Sequence, residues 1–253
     1  MSGHKKWGIA KSFRKKRALK GKVGFIDEKS SLEIAFINVN GLSQKSKIDI
    51  ENLIDIKNPD VIGLTETHRV SELIGDKLDF PGYKCIENCR SYEKNGGGLA
   101  VLCKTSEGLK INQYIPKSIH PDLLSVNTER MWVTVEGEKN ITSICFVYFG
   151  CQYDDNRYFE HNSKMYQLVM NEQFDLRRKG HRVLICGDFN SHVGNLPGLQ
   201  VKNNHPVNEN GKLMLDFIAN SNFNIVNSMC KAITYPGLVI LLRPTAGLLF
   251  FWA

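Results

Sequence analysis

The sequence predicts an α/β fold. Three observations carry it. Short apolar runs recur along the chain, bounded by Gly, Pro, Asn or Asp, as strands require. Helical periodicity appears between several of them. At least three of the runs end on an Asn, Asp or Glu, the pattern of open sheets whose strand tips carry a ligand site.

Taken in order from residue 31, "LEIAFIN" (32–38) reads as a strand. "KSKIDIENLIDIK" (45–57) reads as a helix, with Ile48, Leu53 and Ile56 towards one face and Pro59 as its stop. "VIGLTE" (61–66) is a strand, and "GGGLAVLCK" (96–104) a turn then a strand. "RMWVTVEG" (130–137) and "ITSICFVYFG" (141–150) form a hairpin around "EKN". Residues 157–180 give the longest helix, with Tyr158, Met165, Leu168, Val169 and Phe174 as its apolar side and Gly180 just past its end. A buried strand follows in "RVLICGD", then a helix around "GKLMLDFIANSN" (211–222). There is no internal repeat.

Size and charge bound the function. At 253 residues the chain fits one α/β domain. Its net charge of +7 is concentrated: residues 1–30 hold ten Lys/Arg against Asp27 and Glu28, leaving the rest near neutral. This basic arm suits phosphate contact, a nuclear address, an acid-poor transit peptide or a solvated tail. Seven cysteines without a secretory h-region indicate a reducing compartment. Cys103, Cys145 and Cys186 fall in apolar runs and read as core residues. "CIENC" (85–89) has no second Cys/His pair nearby, which argues against zinc.

The strand tips converge on one chemistry. The first ends "INVNGL", placing Asn38 and Asn40 at its tip; the second ends on Glu66; another presents Tyr148; "ICGDFN" ends on Asp188 and Asn190. Hard oxygen donors with few carboxylates suit Mg²⁺ and leave positions for phosphate oxygens. A nearby carboxylate can deprotonate or orient water, and amides and a tyrosine hydroxyl can hold phosphate without adding charge. His68 lines the same cleft in this reading, His181 and His192 are surface groups, and Asp154 and Asp155 cap a helix.

"FINVNGL", "GLTETH", "GGGLAVL", "VYFG" and "LICGDFN", in this order, resemble the endonuclease/exonuclease/phosphatase superfamily. The nearest resemblance is to the apurinic-like endonuclease domain of non-LTR (LINE-type) retrotransposons and to craniofacial development protein 2-like proteins. The resemblance spans about residues 32–235. It implies a four-layer α/β sandwich, two mixed sheets face to face with outer helices, and Mg²⁺- or Mn²⁺-dependent hydrolysis of a DNA phosphodiester. It implies that Glu66 and Asn38 serve the metal, that Asp188 acts on the attacking water, and that Asn190 and Tyr148 hold the phosphate. Asn40 and Thr234, in "ITYPG", are implied substrate contacts.

The chain departs from the family towards its end. The family closes with serine–x–isoleucine–aspartate and serine–aspartate–histidine motifs, whereas this sequence has no Asp after Asp216 and no His after His205. The expected organisation is therefore an arm (1–30), a C-terminally incomplete domain (31–235) and an apolar tail (236–253) foreign to the family. The tail lacks strand alternation, and is too short and interrupted for a membrane span. The expectation is an endonuclease impaired by that loss, leaving a sheet edge unpaired. The alternatives are an inert remnant that at most binds nucleic acid or a protein, and a phosphatase of the same superfamily. DNA is the expected partner, with no membrane and no obligate protein partner. The nucleus is the expected location, the cytoplasm otherwise.

Overall fold

The computed structural model describes residues 32–70, 78–89, 97–106, 109–116, 129–137, 140–150, 156–194 and 206–225, with the backbone of 234–235, 238–242 and 248–249. Its contacts divide at Ser30/Ser31, and the elements below belong to the unit Ser31–Ala253. The arm, Asp154 and Asp155 lie outside the described residues.

The first sheet contains β1 (Glu33–Asn38), β2 (Val61–Thr65), β3 (Tyr83–Asn88) and β4 (Leu99–Lys104), joined by β10 (Thr234–Tyr235) and β11 (Leu238–Leu242). Its order is β10-β11-β1-β2-β4-β3. The second contains β5 (Lys110–Tyr114), β6 (Arg130–Glu136), β7 (Ile141–Tyr148), β8 (Arg182–Asp188), β9 (Asn224–Ile225) and β12 (Leu248–Leu249), in the order β5-β6-β7-β8-β12-β9. Both are mixed: β1 and β2 run parallel, as do β7 and β8, among antiparallel neighbours.

Side-chain alternation builds the layers. Ile34, Phe36, Val61, Leu99 and Val101 from one sheet meet Met131, Val133, Ile144, Phe146 and Leu184 from the other in a central core. The intervening Ala35, Ile62 and Leu64 face α1 (Gln44–Lys57) through Ile50 and Leu53. Cys145, Val147, Val183 and Ile185 face α2 (Asn156–Arg178) and α3 (Glu209–Ser221) through Met165, Leu168, Val169, Met214 and Phe217. The result is the expected four-layer sandwich. Its centre is tight. A Cβ built on Gly63 would lie 2.0 Å from the Phe146 ring, so that ring occupies the space where β2 carries no side chain.

The structure corrects several expectations. On α1 the buried residues are Ile50 and Leu53, while Ile48 is 47% and Ile56 75% exposed. Residues 48, 52 and 56 share a face, but the i, i+3, i+4 stripe from Ile50 to Ile54 is the one that meets the sheet. Phe174 is likewise exposed on α2, whose inner face is carried by Met165, Leu168 and Val169. Cys103, Cys145 and Cys186 are buried core residues, as read from the sequence. Burial pushes the Cys103 thiol up to about 12 and Cys145 well above its usual value. Among the described residues no helix is long and apolar enough to cross a membrane.

The apolar tail is not idle. Leu238–Leu242 pairs antiparallel with β1 from Glu33↔Leu242 to Ile37↔Leu238, and Leu248–Leu249 lies parallel between β8 and β9. These strands pair with β1 and β8, whereas a sheet edge was expected to stay unpaired.

Candidate active site

Four strand tips meet at one end of the sandwich. In the first sheet, parallel register sets Asn38 beside Thr65, with Glu66 next in the chain. In the second, it sets Tyr148 beside Asp188. These tips come from different sheets, and one side chain spans between them. Asn38 Nδ2 donates to Glu66 Oε1 at 2.8 Å and to Asp188 Oδ2 at 2.7 Å. The Asn38 Oδ1 accepts from the Asn40 backbone N–H at 3.0 Å. With carboxylates on one side and a backbone donor on the other, the amide orientation is fixed by its partners.

The backbone is bent to make this arrangement. Six non-glycine residues among those described have positive φ: Asn40, Asn58, Glu66, His68, Asn190 and Asn222. Asn58 and Asn222 are left-handed C-caps of α1 and α3. The other four belong to the site. Asn enters this region at small cost, whereas Glu66 and His68 do not, and left-handed backbone in such residues costs about 1–3 kcal/mol each. The strain aims the Glu66 carboxylate back towards β1 and β8.

Asp188 is 3% exposed. Burial pushes its carboxyl up to about 6; hydrogen bonds from the Asn190 N–H and the Asn38 amide pull it down, and the Glu66 charge adds to the rise. The Asn190 backbone N–H donates to Asp188 Oδ1 at 3.0 Å, so both carboxylate oxygens are engaged. The Asn190 side chain donates to the Phe149 carbonyl at 2.7 Å and ties the β8 tip to the β7 tip. His68 Nε2 stands 3.6 Å from Glu66 Oε2. Its ring nitrogen is shielded from solvent and makes no hydrogen bond, so His68 belongs to the carboxylate cluster rather than to the cleft wall alone.

The structure therefore unites Asn38, Glu66, Asp188 and Asn190 in one network, with Tyr148 at the same tip and Asn40 as the exposed residue that orients Asn38. Thr234 lies in β10, which pairs with β11; its side chain is outside the described residues. His181 is held away from the tips, at the start of β8, with Nδ1 2.8 Å from Ser143 Oγ. His192 follows the β8 tip, and its backbone N–H donates to Asn208 Oδ1. Sequence reading passed over Asn162, Asn208 and Asn210, all of which hydrogen-bond to these tips. Asn208 had a readable signal, an Asn directly before an apolar-periodic helix.

Oxygen donors suit a divalent cation here. Two carboxylates approach one amide nitrogen, and Glu66 is 17% exposed, open enough to keep waters on a bound ion. That donor set matches Mg²⁺, which takes one or two carboxylates plus substrate oxygens. Among the described residues no group of three or more His, Cys, Asp or Glu converges into a cage.

Comparison with known proteins agrees with this geometry. A family model described as Endonuclease/Exonuclease/phosphatase family matches residues 35–224. Among solved structures, the AP endonuclease LMAP from Leishmania major is similar at 14% identity and TM-score 0.59, over 79% of this chain and 72% of that one. The Xenopus laevis APE2 catalytic domain is 17% identical with a TM-score of 0.55, over 74% and 67%. The endonuclease domain of TRAS1, a telomere-specific non-LTR retrotransposon, is 12% identical with a TM-score of 0.51, over 83% and 84%. No curated protein sequence matches the chain. At these identities the structures speak for the fold.

Proposed function

The chain belongs to the endonuclease/exonuclease/phosphatase family, and we propose that it is a divalent-metal-dependent endonuclease that cleaves a DNA phosphodiester in the manner of retrotransposon endonucleases. The observation that supports this reading best is the Asn38 bridge, which joins a solvent-accessible Glu66 to a buried Asp188 across two sheets.

Each residue then has a task. Glu66 would hold Mg²⁺, or Mn²⁺, which would supply charge to a phosphate oxygen when bound, while Asn38, whose amide N–H groups face the carboxylates, orients Glu66 rather than ligating the ion. Asp188 takes the proton of the attacking water. A carboxyl raised to about 6 is ionised near neutral pH yet more basic than an ordinary aspartate. Asn38 and the Asn190 N–H fix the direction of its lone pairs. Tyr148 and Asn190 face the phosphate from the second sheet, and Asn40, exposed at the first tip, meets the substrate's flank. The neighbours described as an AP endonuclease and as a retrotransposon endonuclease favour DNA over a soluble phosphomonoester. The basic residues of 1–30 favour it too.

The test is conversion of supercoiled plasmid to the nicked form with Mg²⁺. Nicking that EDTA and Asp188→Ala both abolish is the expected result. Release of inorganic phosphate from a phosphomonoester without nicking would assign the site to phosphatase chemistry. Neither activity in the full chain would leave an inert binding module.

A further inference from the structure

Behind the strand tips, on the side of α2 and α3, three asparagines form a cluster, two of them buried. Asn162 on α2 is 0% exposed and Asn210 on α3 is 1% exposed. Asn162 Nδ2 donates to Asn210 Oδ1 at 2.8 Å and to the Gly150 carbonyl at 3.1 Å. Asn210 Nδ2 is surrounded by backbone carbonyls, those of Gly150 at 3.1 Å and of Phe189 and Asn190 at 3.4 Å each. The N-cap of α3, Asn208, donates to the Asn190 carbonyl at 2.9 Å, while its Oδ1 accepts from the N–H groups of His192 and Gly211. Apart from the Asn162–Asn210 bond and the Gly211 cap bond, each of these ends on the turn after β7 or the turn after β8.

Burying amides costs free energy unless they are satisfied, and apolar packing alone would have filled this space more cheaply. Phe149, Tyr166 and Phe189 already do so beside the cluster, with Phe149 and Phe189 rings stacked 5.2 Å apart. What aromatic packing cannot do is fix the rotation of a peptide plane, which hydrogen bonds to its carbonyl can. The fit of α3 is close enough to exclude a side chain. A Cβ on Gly211 would lie 2.0 Å from the His192 carbonyl oxygen, so only glycine lets the helix start press onto the β8 turn.

We propose that Asn210, backed by Asn162 and Asn208, is a positioning residue of the hydrolytic site: it clamps the Gly150 and Phe189–Asn190 carbonyls and so sets the mutual orientation of the two tips that carry Tyr148 and Asp188–Asn190. The Asn190 N–H that donates to Asp188 Oδ1 and the Asn190 carbonyl held by Asn208 and Asn210 flank the same residue. Releasing the clamp lets that residue, already at positive φ, relax, and the Asp188 carboxylate turns with it. A displacement of about 1 Å from the productive geometry costs roughly 10²-fold in rate.

The proposal rests on the hydrolytic reading above, and the test separates the two. Full-length wild type, Asn210→Asp, Asn210→Ser and Glu172→Gln are compared. Asn210→Asp keeps size but turns a donor towards three carbonyls into an acceptor. Glu172 lies ten residues, about 15 Å, along α2 from Asn162 and contacts Arg130 and Trp132, so its variant reports a buried polar change on the same helix that leaves the asparagine cluster intact. Hydrogen exchange is read on peptides spanning 147–150 and 187–192, and plasmid nicking gives kcat and KM. The expected result for both Asn210 variants is at least about tenfold faster exchange in both turns, kcat down roughly 10²-fold and KM nearly unchanged, with Glu172→Gln changing none of these. In the double variant Asn190→Ala/Asn210→Asp the losses should fall short of multiplying, because both act on one element. Exchange unchanged in the two turns, or strictly multiplicative losses, would overturn the clamp while leaving the nuclease standing. A wild type that cleaves no phosphodiester would overturn both.

Discussion

Removing the Asn38 amide is the sharpest perturbation of this site. Its single nitrogen donates to Glu66 Oε1 at 2.8 Å and Asp188 Oδ2 at 2.7 Å, so those oxygens lie at most about 5.5 Å apart. At an effective dielectric of 20, two unit charges at that distance repel by about 3 kcal/mol. The amide offsets this with two hydrogen bonds to charged groups, each contributing about 1.5–3 kcal/mol. Asn38→Ala deletes the donor and leaves the repulsion, so Asp188 holds its proton more tightly and its carboxylate loses its aim. Loss of one positioned donor lowers rate by about 10²–10³, and the expected fall in kcat lies in that range. Asn38→Asp adds a third carboxyl between the two and should be worse. The assay is plasmid nicking at saturating Mg²⁺ from pH 6 to 9, with circular dichroism melting to show that the sandwich is intact. Under Asn38→Ala the acid limb of the pH–rate profile should move upward, since a base with a raised pKa needs higher pH to ionise. A variant that nicks within about threefold of wild type, less than 0.7 kcal/mol of barrier, with its acid limb unmoved, would refute the bridge as a catalytic element.

Four other outcomes follow from the same structure. Glu66 sits at φ 53°, so Glu66→Gly should raise stability by about 1 kcal/mol in chemical denaturation while calorimetry shows Mg²⁺ or Mn²⁺ affinity lost; unchanged affinity would remove Glu66 from the metal site. Deleting residues 1–30, with ten Lys/Arg, should weaken DNA binding and flatten its dependence on salt, read by fluorescence anisotropy at several salt concentrations. Burial first, and Lys179 second, lower the His181 pKa below 6.5. The unfolded chain therefore binds the proton more readily, and stability is present above pH 6.5 and lost as pH falls through the lower folded value; His181→Gln should flatten urea midpoints across that window. Gly63→Ala would push a Cβ into the Phe146 ring, at a cost of about 1–3 kcal/mol for an overfilled core, visible as a lowered melting temperature.

Much of the site was legible because its strands are buried. β2 and β8 are covered on both faces, so each is a continuous apolar run and its first polar residue marks the tip. Glu66 and Asp188 stand out for that reason, and Asn38, Tyr148 and Asn190 through the conjunction of the tips and the family resemblance. The strands that escaped notice sit at sheet edges. β5, "KINQY", is mostly exposed and pairs only with β6; β3 is the edge beyond β4 and mixes Lys, Glu and Asn with its apolar residues. An edge strand owes its conformation to its neighbour, and local composition carries little of that. The strand Leu238–Leu242 was hidden for the opposite reason. "LVILL" is as apolar as β2, but alternation was demanded of a strand that pairs inside a sandwich.

The asparagines show where sequence reading meets a physical limit. Asn at a strand end, at a helix start or inside a helix has a ready local role as turn, cap or solvent contact. Asn38, Asn190, Asn208, Asn210 and Asn162 are ambiguous in this way, and the first two stood out only as members of the set of strand tips. Their common feature is tertiary. Asn38 reaches a carboxylate 150 residues away, and Asn162 an amide 48 residues away. An amide can donate and accept at once without carrying charge. It is thus the side chain best able to tie strand tips from two sheets and two helices around a pair of carboxylates without adding to their repulsion. If the catalytic geometry depends on these neutral ties, replacing any of them by aspartate should cost more activity than replacing it by alanine, and the difference should grow with pH as the introduced carboxyl ionises.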